Sequence, residues 1–169
     1  TLTENLTVKN SVGDKDAEQK MAYAIIEKSR RIFMKFTPEL LFNEVINFEN
    51  SSLLKEALEA GKKLSSFIEK TICYSRQQIN IDRNYKTWLS VYRIVAQNGD
   101  FMGAFSIAEA LNQTSVEEIV SGKIYQKIEV LNEESNYENY RAQANLFRHK
   151  FHIPSLIVLH KDIAEAIEL

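Results

Sequence analysis

The sequence predicts an all-α domain of roughly seven or eight helices at typical helix lengths. Three observations carry the prediction. Apolar residues recur at i, i+3, i+4 and i+7 through most of the chain, the spacing of one helix face. Only 5 Gly and 2 Pro occur in 169 residues, few for a fold built on tight turns. Alternating apolar and polar runs of the kind that pair into strands are absent, as are repeats and low-complexity tracts.

The elements follow in order. Residues 1–15 read as a flexible lead-in, and residues 16–169 as one helical domain. In DAEQKMAYAIIEKSRRIFMKF, Met21, Ala24, Ile25, Ile32 and Phe33 fall at helical spacing, with Asp16 as the expected N-cap. Thr37-Pro38-Glu39 is a helix start, since proline fits the first helical position. That helix is short, because NFENSS (47–52) is turn chemistry. Ser51 or Ser52 then opens a long helix over LLKEALEAGKKLSSFIEKTICYSRQQ. Its interior Gly61 signals a bend or a close contact.

Asp82 is the expected cap of RNYKTWLSVYRIVAQNG. Tyr85, Trp88, Leu89, Val91, Tyr92, Ile94 and Val95 leave that helix few polar positions, so it belongs at the centre of the fold. Asn98-Gly99 stops it. Asp100 caps the next helix, on which Phe101, Ala104, Phe105, Ala108 and Leu111 are apolar, and Asn112 closes it. After Thr114-Ser115 a further helix is expected to run to about Asn132. SNYENYRAQANLFRHKF reads as another, broken at Ile153-Pro154 because the residue before proline is pushed to extended backbone. SLIVLHKDI is expected to be extended, and AEAIEL helical.

Composition sets the function class. The chain is 44% hydrophobic and 26% charged, with a net charge of −2, which gives nucleic-acid binding no basic surface to work with. The one cysteine, Cys73, allows neither an intrachain disulfide nor a cysteine-based zinc cage, suits a reducing compartment, and is expected to be buried. No apolar run reaches the roughly 20 residues of a membrane span, and the N-terminal stretch lacks the order of a signal peptide. Phosphate-binding glycine loops and the nucleophile-elbow pattern are missing. His149 and His152 are three apart and could share a helix face, but with His160 they read as surface or helix-terminal histidines rather than metal ligands. Glu117-Glu118, Glu133-Glu134 and the cluster Lys28, Arg30, Arg31, Lys35 read as solvated faces. No cofactor, metal or covalent chemistry is indicated; the residues point to a binding surface made of helices.

Five segments, in one order from Lys20 to Ile163, resemble a known family. They are KMAYAIIEKSRRIFMKFTPELL, SSLLKEALEAGKKLSSFIEKTI, YKTWLSVYRIVAQNGDFMGAFSIAEALNQTSVEEI, NYENYRAQ and IPSLIVLHKDI. Together they resemble the catalytic domain of Ras-type guanine-nucleotide exchange factors, the RasGEF domain. The third segment is similar to the family's best signature: a buried helix, an Asn-Asn/Asp-Phe corner, and a helix ending in Leu-Asn-x-x-x-Val.

The resemblance implies an all-α cradle that binds the second switch segment of a Ras-superfamily small GTPase and promotes GDP release in cellular signalling. In the family a separate helical hairpin opens the first switch. No general base is needed, since exchange works by preferring the nucleotide-free partner. Carried over, the GTPase-binding residues are Leu58, Glu59, Lys62, Phe105, Asn112, Thr114, Glu117, Tyr137 and Ser155. Tyr137 is expected to be exposed. Glu59 stands where members can be basic, Glu117 where an aromatic can sit, Ser155 in place of a large apolar residue and Ile157 in place of a glycine. No candidate for the hairpin follows IPSLIVLHKDI, so the alternative is a non-catalytic GTPase-binding or scaffold module of the same fold. The implied location is the cytoplasm, or the host cytosol for a secreted bacterial effector. No nucleic acid or integral membrane segment is implied, and the oligomeric state is open.

Overall fold

A computed structural model describes residues 15–168. The expected lead-in over 1–14 lies outside the described residues, and Lys15 already belongs to the first helix. Eight α-helices occur among the described residues: α1 (Lys15–Phe33), α2 (Pro38–Ile46), α3 (Ser52–Cys73), α4 (Gln78–Gln97), α5 (Phe101–Leu111), α6 (Thr114–Ile119), α7 (Glu138–Asn145) and α8 (Leu156–Glu168). Two 3-10 turns, Phe48–Asn50 and Glu129–Leu131, join them. The expected all-α class is the observed one.

α4 and α5 form the centre, as their nearly all-round apolar faces require. Tyr85, Trp88, Val91 and Val95 of α4 and Phe101, Ala104, Ile107 and Leu111 of α5 are buried. α1 packs against them through Met21 and Ile25, and α3 through Ile68 and Ile72. A second, smaller cluster joins Ile32, Leu54, Ala57 and Leu156 from α1, α3 and α8. Two polar side chains of the core helices find partners, as their desolvation cost demands. Trp88 Nε1 donates to Thr71 Oγ1 at 2.8 Å, and Ser90 Oγ to Glu18 Oε2 at 2.6 Å.

Several boundaries follow local chemistry. Thr37 Oγ1 accepts from the Leu40 amide and caps α2, with Pro38 at its start. Asp100 caps α5 by accepting from the Gly103 amide at 2.9 Å. Gly99, at φ +77, turns the chain out of α4 in a conformation that suits glycine.

Other expectations are corrected. Asp16 lies inside the first turn of α1 rather than before it. Asp82 does not cap α4, which begins four residues earlier at Gln78. Its carboxylate instead accepts from the Ser121 amide at 2.9 Å and the Ser121 hydroxyl at 2.5 Å. α3 ends at Cys73, and Cys73 is exposed, since the last turn leaves the core with Tyr74 (90% exposed).

The helix expected to reach Asn132 stops at Ile119. Tertiary bonds take over its backbone: Tyr85 Oη accepts from the Gln126 amide and donates to the Gln126 carbonyl, both at 2.9 Å. α7 likewise stops at Asn145 rather than near Phe151, so His149 and His152 share no helix face. SLIVLHKDI is helical, not extended: Ser155 Oγ accepts from the Val158 amide, and α8 runs on through AEAIE. Among the described residues, extended pairing is confined to one bridge before it, where the Phe101 amide donates to Ile153 O and the Ile153 amide to Gly99 O, both at 2.8 Å.

Candidate functional site

Two grooves flank the crossing of α3 over α5. That crossing is close because Gly61 faces Ser106: a Cβ at position 61 would lie 2.9 Å from Ser106 Oγ. Ser65 Oγ also donates to the Ser106 carbonyl at 2.5 Å. The helices therefore meet backbone to backbone, and each side of the contact opens into a concavity.

The first groove, of about 280 Å³, is closed on its third side by the start of α8. Leu58 and Lys62 come from α3, Met102, Phe105 and Glu109 from α5, and Ser155 and Ile157 from the α8 end. The apolar floor is Phe105, which is buried and fixed by edge contact with Tyr140 at 5.1 Å and 82°. The rim carries one cation, Lys62, and one anion, Glu109, both exposed. Ile157 is 44% exposed, a large apolar side chain left at the mouth.

The α8 wall is held in place at three points. The Ile153 bridge fixes its approach, the Ser155 amide donates to Tyr140 Oη at 3.1 Å, and Ser155 Oγ caps the helix. Ser155 thus lines the groove but is 1% exposed, with its hydroxyl already engaged in the cap.

The structure brings together four of the nine residues singled out from the sequence: Leu58, Lys62, Phe105 and Ser155. Glu59 turns to the other side of α3 and lines the second cleft, of about 420 Å³, with Lys28, Ile32, Leu64, Lys63 and Met102. Asn112 is a structural clamp: its amide donates to Ile128 O and its carbonyl accepts from the Ile128 amide, both at 2.9 Å. It also ends α5, as its sequence context suggests. Thr114 and Glu117 are exposed on α6, outside the groove.

Tyr137, expected to be exposed, is 4% exposed. Its ring lies behind Phe105, with centroids 6.2 Å apart, and Lys161 Nζ stands 5.8 Å from its centroid on α8. Burial, and then the charge of Glu133, push its phenol above the ordinary tyrosine pKa. Polar neighbours in sequence mislead here because the chain at Tyr137 is left-handed (φ 57), which turns the ring inward.

Among the lining residues, Met102 and Glu109 escaped the sequence reading. Met102 and Glu109 lie at −3 and +4 from Phe105, on the same helix face, so helical spacing was the available signal. The groove holds no histidine or cysteine and no nucleophile hydrogen-bonded to a base. Among the described residues no group of three or more His, Cys, Asp and Glu could hold a metal ion, and no helix is long and apolar enough to cross a membrane. What the groove offers is an apolar seat with opposite charges at its rim.

Two of the five family-like segments are physically joined beside this site. Arg141 of NYENYRAQ and Asp162 of IPSLIVLHKDI form a two-pronged ion pair, Nη1 to Oδ2 and Nη2 to Oδ1, both at 2.9 Å. The guanidinium holds the Asp162 carboxyl below its ordinary pKa.

No curated protein and no solved structure matches the chain. A family model described as the RasGEF domain matches residues 20–168, nearly the whole chain and all of the segments that build the groove. The chain therefore belongs to the RasGEF domain family.

Proposed function

We propose that this domain binds a Ras-superfamily small GTPase, seats the partner's second switch segment in the groove between α3, α5 and α8, and promotes release of GDP. The observation that carries the reading is the groove itself, which gathers Leu58, Lys62, Phe105 and Ser155 in a chain matched by the RasGEF model over 20–168. An apolar floor supplies binding free energy without regard to charge, about 25 cal/mol for each Å² of apolar surface removed from water. Lys62 and Glu109 at the rim select among partners by charge.

Release would be accelerated without a catalytic acid or base. A protein that binds the nucleotide-free GTPase more tightly than the loaded form lowers nucleotide affinity by the same factor, since the two equilibria are linked. A thousandfold preference requires about 4 kcal/mol of differential binding. The reading also implies action in the compartment where small GTPases work, the cytosol, or a host's cytosol for a secreted protein.

The test is a panel of Ras-superfamily GTPases loaded with fluorescent GDP and challenged with excess unlabelled nucleotide. Faster release with at least one member supports exchange. Capture of a GTPase without faster release supports the alternative, a non-catalytic binding or scaffold module. Neither capture nor faster release across the panel refutes both.

A further inference from the structure

Asn136 and Tyr137 are consecutive, and both adopt left-handed backbone, at φ 52 and φ 57. They are the non-glycine residues with positive φ among the described residues. Asparagine tolerates this region; an aromatic residue does so rarely, because its Cβ crowds the following carbonyl. The turn nevertheless sits directly behind the groove floor, since it delivers the Tyr137 ring to Phe105.

Arg141 holds this turn. Its Nε donates to the Asn136 carbonyl at 2.8 Å and its Nη2 to Asn136 Oδ1 at 3.2 Å. The same guanidinium grips Asp162 of α8. Lys161, next to Asp162, donates to Asn136 Oδ1 at 2.7 Å from the other side. As an ion pair the Arg141–Asp162 contact is ordinary, with side chains 37% and 40% exposed, where such pairs contribute little net stability. The geometry is what matters. A planar fork with five donors can satisfy a carbonyl, an amide oxygen and a carboxylate at once, and no other side chain can.

We infer that Arg141 is a positioning residue for the groove: it holds the Asn136–Tyr137 turn left-handed, and so sets the Tyr137 ring behind Phe105 and keeps α8, the third wall, in register with it. The inference rests on the GTPase reading only in its effect on partner binding; the positioning is readable in the free protein.

The experiment uses Arg141→Met, Arg141→Lys, Asp162→Asn, and Arg141→Met combined with Asn136→Gly. The first readout is the set of ring–ring nuclear Overhauser contacts between Phe105 and Tyr137 in the free protein. Arg141→Met should lose them. Arg141→Lys keeps a charge for Asp162 but has no fork, and should weaken them; it carries the measurement should the Met variant fail to fold. Asn136→Gly, free to adopt positive φ, should restore them in the Met background, because the turn then needs no clamp. The second readout is affinity for a nucleotide-free Ras-type GTPase that the unmodified protein captures. It should fall about tenfold in Arg141→Met and recover in the glycine double variant.

Unchanged ring contacts in Arg141→Met overturn the inference. So does a loss that Asp162→Asn reproduces in full and Asn136→Gly does not repair, which would make Arg141 a tie between α7 and α8 only. A protein that captures no GTPase at all refutes the proposed function, while the ring contacts still decide the role of Arg141.

Discussion

Replacing Asp100 by Asn should remove a stability that grows toward acid. Asp100 caps α5 from a site where it is 1% exposed. Its Oδ1 accepts from the Gly103 amide, but its buried Oδ2 has no hydrogen-bond partner. Burial dominates and pushes its pKa from 3.8 up to about 7, against smaller opposing effects of the Gly103 amide, the Ser29 hydroxyl and the Met102 amide. The folded protein therefore holds a proton that the unfolded chain, with an ordinary carboxyl, has released. The stabilisation is fully present below the unfolded pKa and is lost as pH rises through about 7.

At roughly 1.4 kcal/mol per pH unit where the folded carboxyl is protonated and the unfolded one ionised, moving from about pH 7 to about pH 5 should stabilise the fold by about 2 kcal/mol. Asparagine keeps the capping oxygen and cannot titrate. Urea unfolding of both proteins across about pH 5 to 8 measures the difference. Arg30 of α1, Asn98 just past the end of α4, and His152 share the adjoining cleft of about 350 Å³ with Asp100, so His152→Gln serves as the control for the other titratable group. A wild-type minus Asp100→Asn difference that is flat, or that rises with pH, would refute the argument. So would a pH dependence that survives in Asp100→Asn and disappears in His152→Gln.

Further outcomes separate structure from surface. Asn112→Ala removes both bonds to Ile128 and should cost about 1–3 kcal/mol in thermal or urea unfolding, whereas Thr114→Ala and Glu117→Ala should change stability by less than about 0.5 kcal/mol. Gly103→Ala places a Cβ 2.4 Å from Asp100 Oδ2 and 2.8 Å from Ile25 Cγ2; the overpacking, about 1–3 kcal/mol, should outweigh the gain of about 1 kcal/mol in helix propensity and lower the melting temperature. Gly61→Ala meets only the Ser106 hydroxyl, at 2.9 Å, which can rotate, and should be the milder of the two.

Much of the fold was legible because local and tertiary signals agree. Trp88 and Tyr85 sit on a helix with few polar positions, and that helix is central. Thr37-Pro38 and Asp100 cap the helices they precede, since their side chains have no better partner. Where tertiary bonds compete, the sequence misleads. Asp82 looks like a cap, but its carboxylate reaches a partner 39 positions away, Ser121. SLIVLHKDI is an apolar run whose period does not separate strand from helix, and the Ser155 cap settles it as helix. The turn before α7 carries no glycine to announce its left-handed backbone, so the inward turn of Tyr137 was unreadable. Leu58, Glu59 and Lys62 were named together from the family resemblance; helix geometry then divides them, since Leu58 and Lys62, four apart, share the groove face while adjacent Glu59 faces a different cleft.

The groove's architecture also decides which substitutions can test its function. α5 is buried on nearly every side, so Phe105 is core and groove floor at once, and Phe105→Ala would cost about 3–5 kcal/mol of stability whatever it does to binding. Ser155 is bound into the α8 cap, and Asn112 into the Ile128 clamp. The separable residues lie on α3, where Leu58 is half-buried and Lys62 is exposed, neither in a hydrogen bond that the fold depends on. Lys62→Glu converts a rim of opposite charges, Lys62 and Glu109, into two carboxylates, with little expected change in unfolding. If the groove receives a GTPase, that variant should slow association with an acidic partner segment and show it as an altered salt dependence of the on-rate, because rim charges act mainly on encounter. Leu58→Ala should instead act on dissociation, since an apolar contact in the seat holds the complex without steering it. Equal effects of both variants on one rate constant, or none on either, would mean that the partner is seated elsewhere.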